Sequence, residues 1–470
     1  MIRERRGAVL RFPVLYFGRL MIKLSIAIWM VAAAYGAEFL VSDYGAKGDG
    51  KSNDTVAIQK TIDAAAKTGG TIVLKPGIYL TGSLFLKSGT SLRVDEGVEI
   101  RGVRDLAGYP VMQTRVAGIE MKWPAALINV YEQTGVKISG KGTIDGDGKI
   151  WWDKYWKLRR EDYEPRGLRW AADYDCQRPR LIQIYKSSDV DLSGLTLIRS
   201  GFWTVHICYS KTVTVDGVTI RDNIGGKGPS TDGIDIDSSS NVLVEHCDID
   251  CNDDAICLKA GRDADGLRVN RPTEKVIIRD STVRGGAAGV TVGSETSGGI
   301  RDVEAYRIHV LAGVPNGVLF KSASTRGGTT ENIVIHDIDT QGVNTPVSIT
   351  LNWNPSYSYA KLPEGMTDIP DYWKVLLTPV EPEKGMPHFR NVHISGIKST
   401  GAQRAFSVSS YADSPLQDFT FEDLDIEAKT AGSIQNAENW KFKNIKIRTK
   451  DGSTITVKDS KGVTGLPEGK

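Results

Sequence analysis

Three aspartates in the stretch from Gly228 to Gly261 have the types and spacing to do chemistry. Asp232 stands immediately before the short apolar run Gly233-Ile234-Asp235-Ile236. The pair Asp253-Asp254 stands immediately before Ala255-Ile256-Cys257-Leu258, and Asp254 follows Asp232 by 22 residues. If the chain coils with one such run per turn, these acids lie side by side on neighbouring turns, about 4.8 Å apart. Carboxylates crowded in this way repel, and one of them is pushed up until it holds a proton near neutral pH. An acid and a base then share one place, which is what cleaving a glycosidic bond requires.

Such neighbourhood needs a scaffold of constant register, and the sequence supplies one. Apolar residues recur at i, i+2, i+5 and i+7: Val190, Leu192, Leu195 and Leu197, then Val213, Val215, Val218 and Ile220, then Val242, Val244, Cys247 and Ile249. The pattern restarts at Val276, Val303, Ile333, Val392, Phe419 and Trp440. Alternation, a short corner and alternation again describe two strands meeting at a bend and facing one core. A second run follows each first one, among them Thr204–Ile207, Gly233–Ile236, Ala255–Leu258, Gly289–Val292 and Gly317–Phe320. Constant strand cores with uneven spacing predict a solenoid with loops of varying length. The expected fold is all-β, a right-handed single-stranded parallel β-helix, because parallel crossovers are right-handed. The interval of 59 residues between Ile333 and Val392 predicts either two turns or one turn carrying a large loop. Asn53-Asp54-Thr55 can start a short capping helix that runs to about Ala66 and covers one open end of the stack.

Aligning the second runs places Trp203, Asp232, Asp254, Ala288 and Asn316 in one column. His206, Asp235, Cys257, Thr291 and Leu319 form the next, and Cys208, Asp237, Lys259, Gly293 and Lys321 a third. One face thus carries Asp232, Asp235, Asp237, Asp253, Asp254, Lys259 and Lys321, provided the chain bends at Gly233 to turn Asp232 outward. Two long insertions, 149–180 and 352–388, interrupt the pattern. The first mixes Trp151, Trp152, Tyr155, Trp156 and Trp170 with arginines; the second holds Trp353, Tyr357, Tyr359 and Trp373. Loops this long are usually functional, and aromatic rings with arginines suit sugars bearing carboxylates. The alternative is that the Trp-rich insertion simply packs a small core of its own.

The remaining composition sets limits. The chain has 470 residues and a net charge of +2, which argues against a nucleic-acid partner. Five cysteines are too few and too odd for a disulfide framework, although one disulfide stays open; the six histidines show no metal-ligand spacing. From Met21 the sequence MIKLSIAIWMVAAAYGAEF has a lysine, an apolar stretch and small residues near Gly36, the layout of a secretory signal peptide too short to span a membrane. The expected organisation is an N-terminal extension and signal over 1–36, then one β-helix unit over 37–470, exported to the periplasm or medium as a monomer.

Thr231-Asp232-Gly233-Ile234-Asp235 followed by Asn252-Asp253-Asp254-Ala255-Ile256 resembles the paired signatures of glycoside hydrolase family 28, the polygalacturonases and rhamnogalacturonan hydrolases that cut pectin. Gly289 to Glu295, Lys321, Arg326-Gly327-Gly328 and the early KGTIDGDGKIWW run extend the likeness over roughly 40–450. The resemblance implies Asp253 as general acid, and Asp232 with Asp254 positioning and deprotonating the attacking water, with inversion and without metal or cofactor. It implies Lys321 at a substrate carboxylate, and Asp235, Lys259 and Glu295 are further candidates for substrate contact. A pectic poly- or oligosaccharide is the expected partner. Two departures stand out: the family's Gly-His-Gly is Ala287-Ala288-Gly289 here, and its Arg-Ile-Lys is Leu319-Phe320-Lys321. Both lost groups would hold anionic sugar, which points towards rhamnogalacturonan-type substrate rather than plain homogalacturonan. Large loops at both flanks favour exo action.

A single aspartate before a strand is commonly a turn residue; three that converge argue for catalysis. Two competing functions remain. A pectate lyase would need a Ca²⁺ cage, which Asp232, Asp235, Asp253 and Asp254 could imitate, but no arginine stands opposite them. A non-catalytic carbohydrate-binding β-helix would bind the same polymer without turning it over.

Overall fold

The computed structural model describes residues 37–467. The expected signal over 1–36 lies outside the described residues. Parallel strands stack coil on coil into one 31-stranded array, a right-handed parallel β-helix. Its register follows the sequence repeat. Val190 pairs with Val213 and Leu197 with Ile220; Val213 then pairs with Val242 and Ile220 with Ile249. Ile333 pairs directly with Val392, so the interval of 59 is one turn carrying a large loop.

The corner inside each repeat has a backbone cause. Four residues after the first apolar position, Gly194, Gly217, His246, Asp280, Asp337, Gly396, Asp423 and Asn444 all take positive φ. That left-handed conformation turns the chain sharply, and Gly, Asn and Asp tolerate it best. Apolar side chains on either side of the corner then point into one continuous core, from Val41 to Phe442.

The helix Thr55–Ala65 buries Ile58, Ile62 and Ala65 against the N-terminal end of that core. Asn53 starts it, its Oδ1 accepting from the Thr55 amide at 3.1 Å. The Asp54 carboxylate instead accepts from the amides of Lys47 and Gly48. All five cysteines are buried and unpaired, which closes the disulfide question; Cys247 packs in the core. Among the described residues no helix is long and apolar enough to cross a membrane.

Both insertions fold into short helices. Lys149–Lys157, Arg169–Ala171 and Ala172–Asp175 belong to the first; Pro355–Ser358, Asp371–Leu376 and Pro382–Gly385 belong to the second. They pack with an antiparallel hairpin, Val111–Val116 and Ile119–Pro124, that the repeat pattern does not foretell. Its own signal is an alternating apolar set around Ala117-Gly118, both at positive φ, as a tight hairpin turn requires. Trp123, Trp170, Tyr174, Phe202, Trp203, Trp373 and Leu376 form a second apolar cluster there. These segments roof one sheet of the solenoid.

Candidate active site

Beneath that roof lie the strands Val205–Cys208, Ile234–Asp237, Ile256–Lys259, Ala288–Val292 and Asn316–Lys321, hydrogen-bonded in that order. Ile234, Ile236, Ile256 and Leu258 enter the core, so the alternate positions face the roof. Asp235 pairs with Cys257 and Asp237 with Lys259, as the columns require. The chain does bend at Gly233. A Cβ there would meet the Ala255 carbonyl oxygen at 2.4 Å, so only glycine lets the two strand starts close up. The amide of Gly233 donates to the Asp254 carbonyl at 2.8 Å and the amide of Ala287 to the Asp253 carbonyl at 2.8 Å, which fixes both acids from neighbouring coils.

The result is a cavity of about 100 Å³. Asp232, Asp253 and Asp254 line it, with carboxylate oxygens within 4.8 Å of one another. Lys259 sits among four acids: its Nζ is 3.3 Å from Asp232, 3.5 Å from Asp235, 3.5 Å from Asp254 and 3.4 Å from Glu295. The Trp203 ring lies 5.0 Å from the same ammonium. Lys321 donates to both oxygens of Asp254, at 2.9 and 2.8 Å, and its ammonium lies 4.7 Å from the Trp353 ring. Thr291 Oγ1 and Cys257 Sγ also donate to Asp254.

These surroundings separate the protonation of the acids. Burial pushes Asp253 up, the neighbouring Asp254 adds to this, and Lys321 and Lys259 oppose it; the carboxyl ends at about 6. Burial also pushes Asp254 up, but Lys321 and Lys259 outweigh it and hold Asp254 below the ordinary carboxylate range. Asp232 is raised by burial and by Asp235 despite Lys259. The cavity therefore pairs a carboxyl that keeps its proton with one that keeps its charge.

The structure divides the expected site residues. Asp232, Asp253, Asp254, Lys259, Glu295 and Lys321 all line one cavity. Asp235 does not: it has no exposed surface, among the described residues neither oxygen has a hydrogen-bond donor, and the Lys259 ammonium lies 3.5 Å away. The roof seals its column, so the expected direct contact with substrate is corrected to an ion pair with Lys259, which does line the cavity. Asp237 is sealed likewise, paired with Arg115 of the hairpin at 2.8 Å, and His206 contacts it at 3.4 Å. Ala288 and Leu319, the two departures, are 0% and 1% exposed and absent from the cavity wall. Glu295 accepts from the Tyr357 hydroxyl at 3.0 Å and, despite its burial, is held well below its usual range by Lys259 and Arg326.

Ala117, Asp173, Ser230 and Asn354 on the wall escape sequence reasoning, whereas Arg169 and Tyr357 belong to the arginines and aromatics of the two insertions that suit carboxylate-bearing sugars. All but Ser230 come from the hairpin or the insertions, where no register fixes position. Trp203 is legible from its column, and Trp353 from the aromatic content of the second insertion. Within the first insertion Trp151, Trp152, Tyr155, Trp170 and Tyr174 are buried, so most of its aromatics pack a core rather than meet sugar.

The model for glycosyl hydrolases family 28 matches residues 73–464. The chain belongs to that family. A second model, rhamnogalacturonase A/epimerase, pectate lyase-like, matches residues 39–95. Among relatives, a probable polygalacturonase of Vitis vinifera is 32% identical over 304 residues, which span 62% of this chain and 58% of the grapevine protein. An exo-poly-alpha-D-galacturonosidase of Dickeya chrysanthemi is 26% identical across 88% of this chain and 74% of its own. The crystal structure of a hyperthermoactive exopolygalacturonase from Thermotoga maritima superposes with a TM-score of 0.69 at 26% identity, over 91% of this chain and 92% of that one.

Proposed function

We propose that the protein is an exported pectic hydrolase that removes galacturonic-acid units from chain ends with inversion. The observation that carries this reading is the convergence of Asp232, Asp253 and Asp254 in one small cavity, with Lys321 and Lys259 set against Asp254. Asp253, protonated up to about pH 6, gives its proton to the glycosidic oxygen. Asp254, held ionised, takes the proton of the attacking water, and Asp232 beside it holds that water in place. Oxygens within 4.8 Å fall nearer the spacing of retaining enzymes, about 5–5.5 Å, than of inverting ones. That rule describes two acids opposed across a sugar ring, whereas Asp253 and Asp254 are consecutive residues at one strand start. Inversion therefore rests on the family resemblance.

Exo action is supported by the size of the cavity: about 100 Å³ is well below the roughly 300–1,000 Å³ of ordinary ligand pockets, so a chain end fits better than a chain middle. The exo-acting names of the Dickeya and Thermotoga relatives point the same way. Export is supported by the signal-like sequence after Met21. The ground for preferring rhamnogalacturonan weakens, because Ala288 and Leu319 lie outside the cavity wall. A Ca²⁺-dependent lyase fits poorly, since two lysine ammoniums already occupy the positive side of Asp232 and Asp254.

The test is incubation with polygalacturonate and rhamnogalacturonan side by side, with products sized and the new anomeric centre read by proton NMR. Saturated monomers released with inverted configuration are expected. Unsaturated products, or none from either polymer, would refute the reading.

A further inference from the structure

Among the described residues, the solenoid face offers an incoming carboxylate no free cation. Lys259 is surrounded by four carboxylates and Lys321 is held by both oxygens of Asp254. Arg262, just behind, is fully buried and committed to Asp263, the Tyr174 hydroxyl and the carbonyls of Tyr357 and Ser358. The arginine expected on the strand is Leu319, which is sealed.

Arg169, in the first insertion, differs from all of these. It lines the cavity with a side chain 14% exposed. Among the described residues only its Nη1 meets a protein acceptor, Asp173 Oδ2 at 2.9 Å, and its Nε has none. Asp173 does not cancel that charge, because it also receives Arg178 at 3.1 Å. Two guanidiniums on one carboxylate leave a net positive charge. The Tyr357 ring, 5.2 Å from the Arg169 guanidinium, holds that plane from the second insertion. Asn354, one turn before Tyr357, also lines the wall and offers an amide donor.

We propose that Arg169, steadied by Tyr357 and Asp173, forms with Asn354 a carboxylate-binding site for the terminal uronate of the substrate, so that acid recognition comes from the roof and not from the solenoid strands. A planar guanidinium with unused donors is the group best shaped for a carboxylate fork. A neutral sugar or a uronate methyl ester leaves those donors without an anion to meet. The proposal rests on the pectic-hydrolase reading for the identity of the sugar, but its test does not require turnover.

Titration calorimetry compares galacturonic acid with its methyl ester on the parent protein and on Arg169→Gln. The parent is expected to prefer the acid by about tenfold or more, the worth of one charge-assisted hydrogen bond. In Arg169→Gln the two ligands are expected to bind within about twofold of each other, with the ester unchanged. Arg169→Lys, which keeps the charge and loses the fork, is expected to fall between them. A parent without preference overturns the proposal, as does an Arg169→Gln variant that still prefers the acid. Equal weakening of both ligands overturns it too, showing that Arg169 only props the roof. Loss of the preference in a protein that hydrolyses neither polymer would sink the hydrolase reading and leave the carboxylate site standing.

Discussion

In the solenoid floor, each candidate catalytic side chain stands where a neighbouring coil's backbone puts it. Thr204 N donates to Asp232 O, Gly233 N to Asp254 O and Ala287 N to Asp253 O, each at 2.8 Å. In the roof, position comes from side chains that are far apart in sequence. Trp170 stacks edge-on to Trp373 at 4.8 Å and donates to the Lys361 carbonyl. Asp175 collects the Tyr163 hydroxyl, the Tyr372 hydroxyl and the Trp373 indole. The floor is a periodic lattice, in which an acid cannot move without breaking a ladder. The roof is a small mosaic core that can loosen by itself. The floor therefore suits chemistry, which needs fixed acids, and the roof suits recognition, which varies by changing loops.

Asp253→Asn is the change expected to have the largest effect, and it acts on the floor alone. The asparagine keeps the backbone bond from Ala287, so circular dichroism should match the parent. The melting midpoint should match too near pH 4, close to the ordinary carboxylate value of 3.8 below which Asp253 is protonated in both folded and unfolded chains. Turnover of oligogalacturonide should fall by about 10²–10⁴, the usual contribution of a general acid. In the parent, turnover should decline above about pH 6, as Asp253 gives up its proton, and at the acid end once Asp254 is protonated. Undiminished turnover in the variant would remove the acid from the mechanism.

A middle-sized effect is expected from Trp170→Ala, which breaks the roof. Truncating a buried tryptophan costs about 3–5 kcal/mol of packing, and here the loss falls on a cluster separate from the solenoid core. Limited proteolysis should cut within 352–388, while the main unfolding midpoint moves little. An opened cavity should also release products longer than one sugar. A single cooperative transition at lower temperature, with no new cleavage, would show that floor and roof are one unit.

The same contrast explains what the sequence made legible. Asp232, Asp254, Lys259 and Lys321 could be set side by side because an i, i+2, i+5, i+7 repeat fixes register and a parallel ladder transmits it. Asp235 defeats the same logic, because period 2 says which face a residue takes, not what covers that face. Arg115, Arg169 and Tyr357 could not be placed at all. Their positions depend on aromatic packing between 111–124, 149–180 and 352–388, and aromatic content alone does not say which ring meets which. Of these only the hairpin left a local sign, in Ala117-Gly118 between alternating apolar residues.

Asp235→Asn is the subtlest change, and it asks whether the floor carries a charge cost that the roof imposes. Burial drives the Asp235 carboxyl up to about 8, with Asp254, Asp237 and Glu295 adding to the rise and Lys259 opposing it. A carboxyl raised on folding stabilises the folded state fully below its ordinary value of 3.8, and that contribution is lost as pH rises towards 8. Parent stability should therefore decline from about pH 4 to pH 8. Asp222, raised to about 7, and Asp253, raised to about 6, contribute to the same slope. Asparagine cannot ionise, so Asp235→Asn should flatten the slope without abolishing it. Near pH 4 the two melting midpoints should agree, and near pH 8 the variant should melt higher, by on the order of 2 °C. If the slope is unchanged, Lys259 already neutralises Asp235, and covering that column costs the floor nothing.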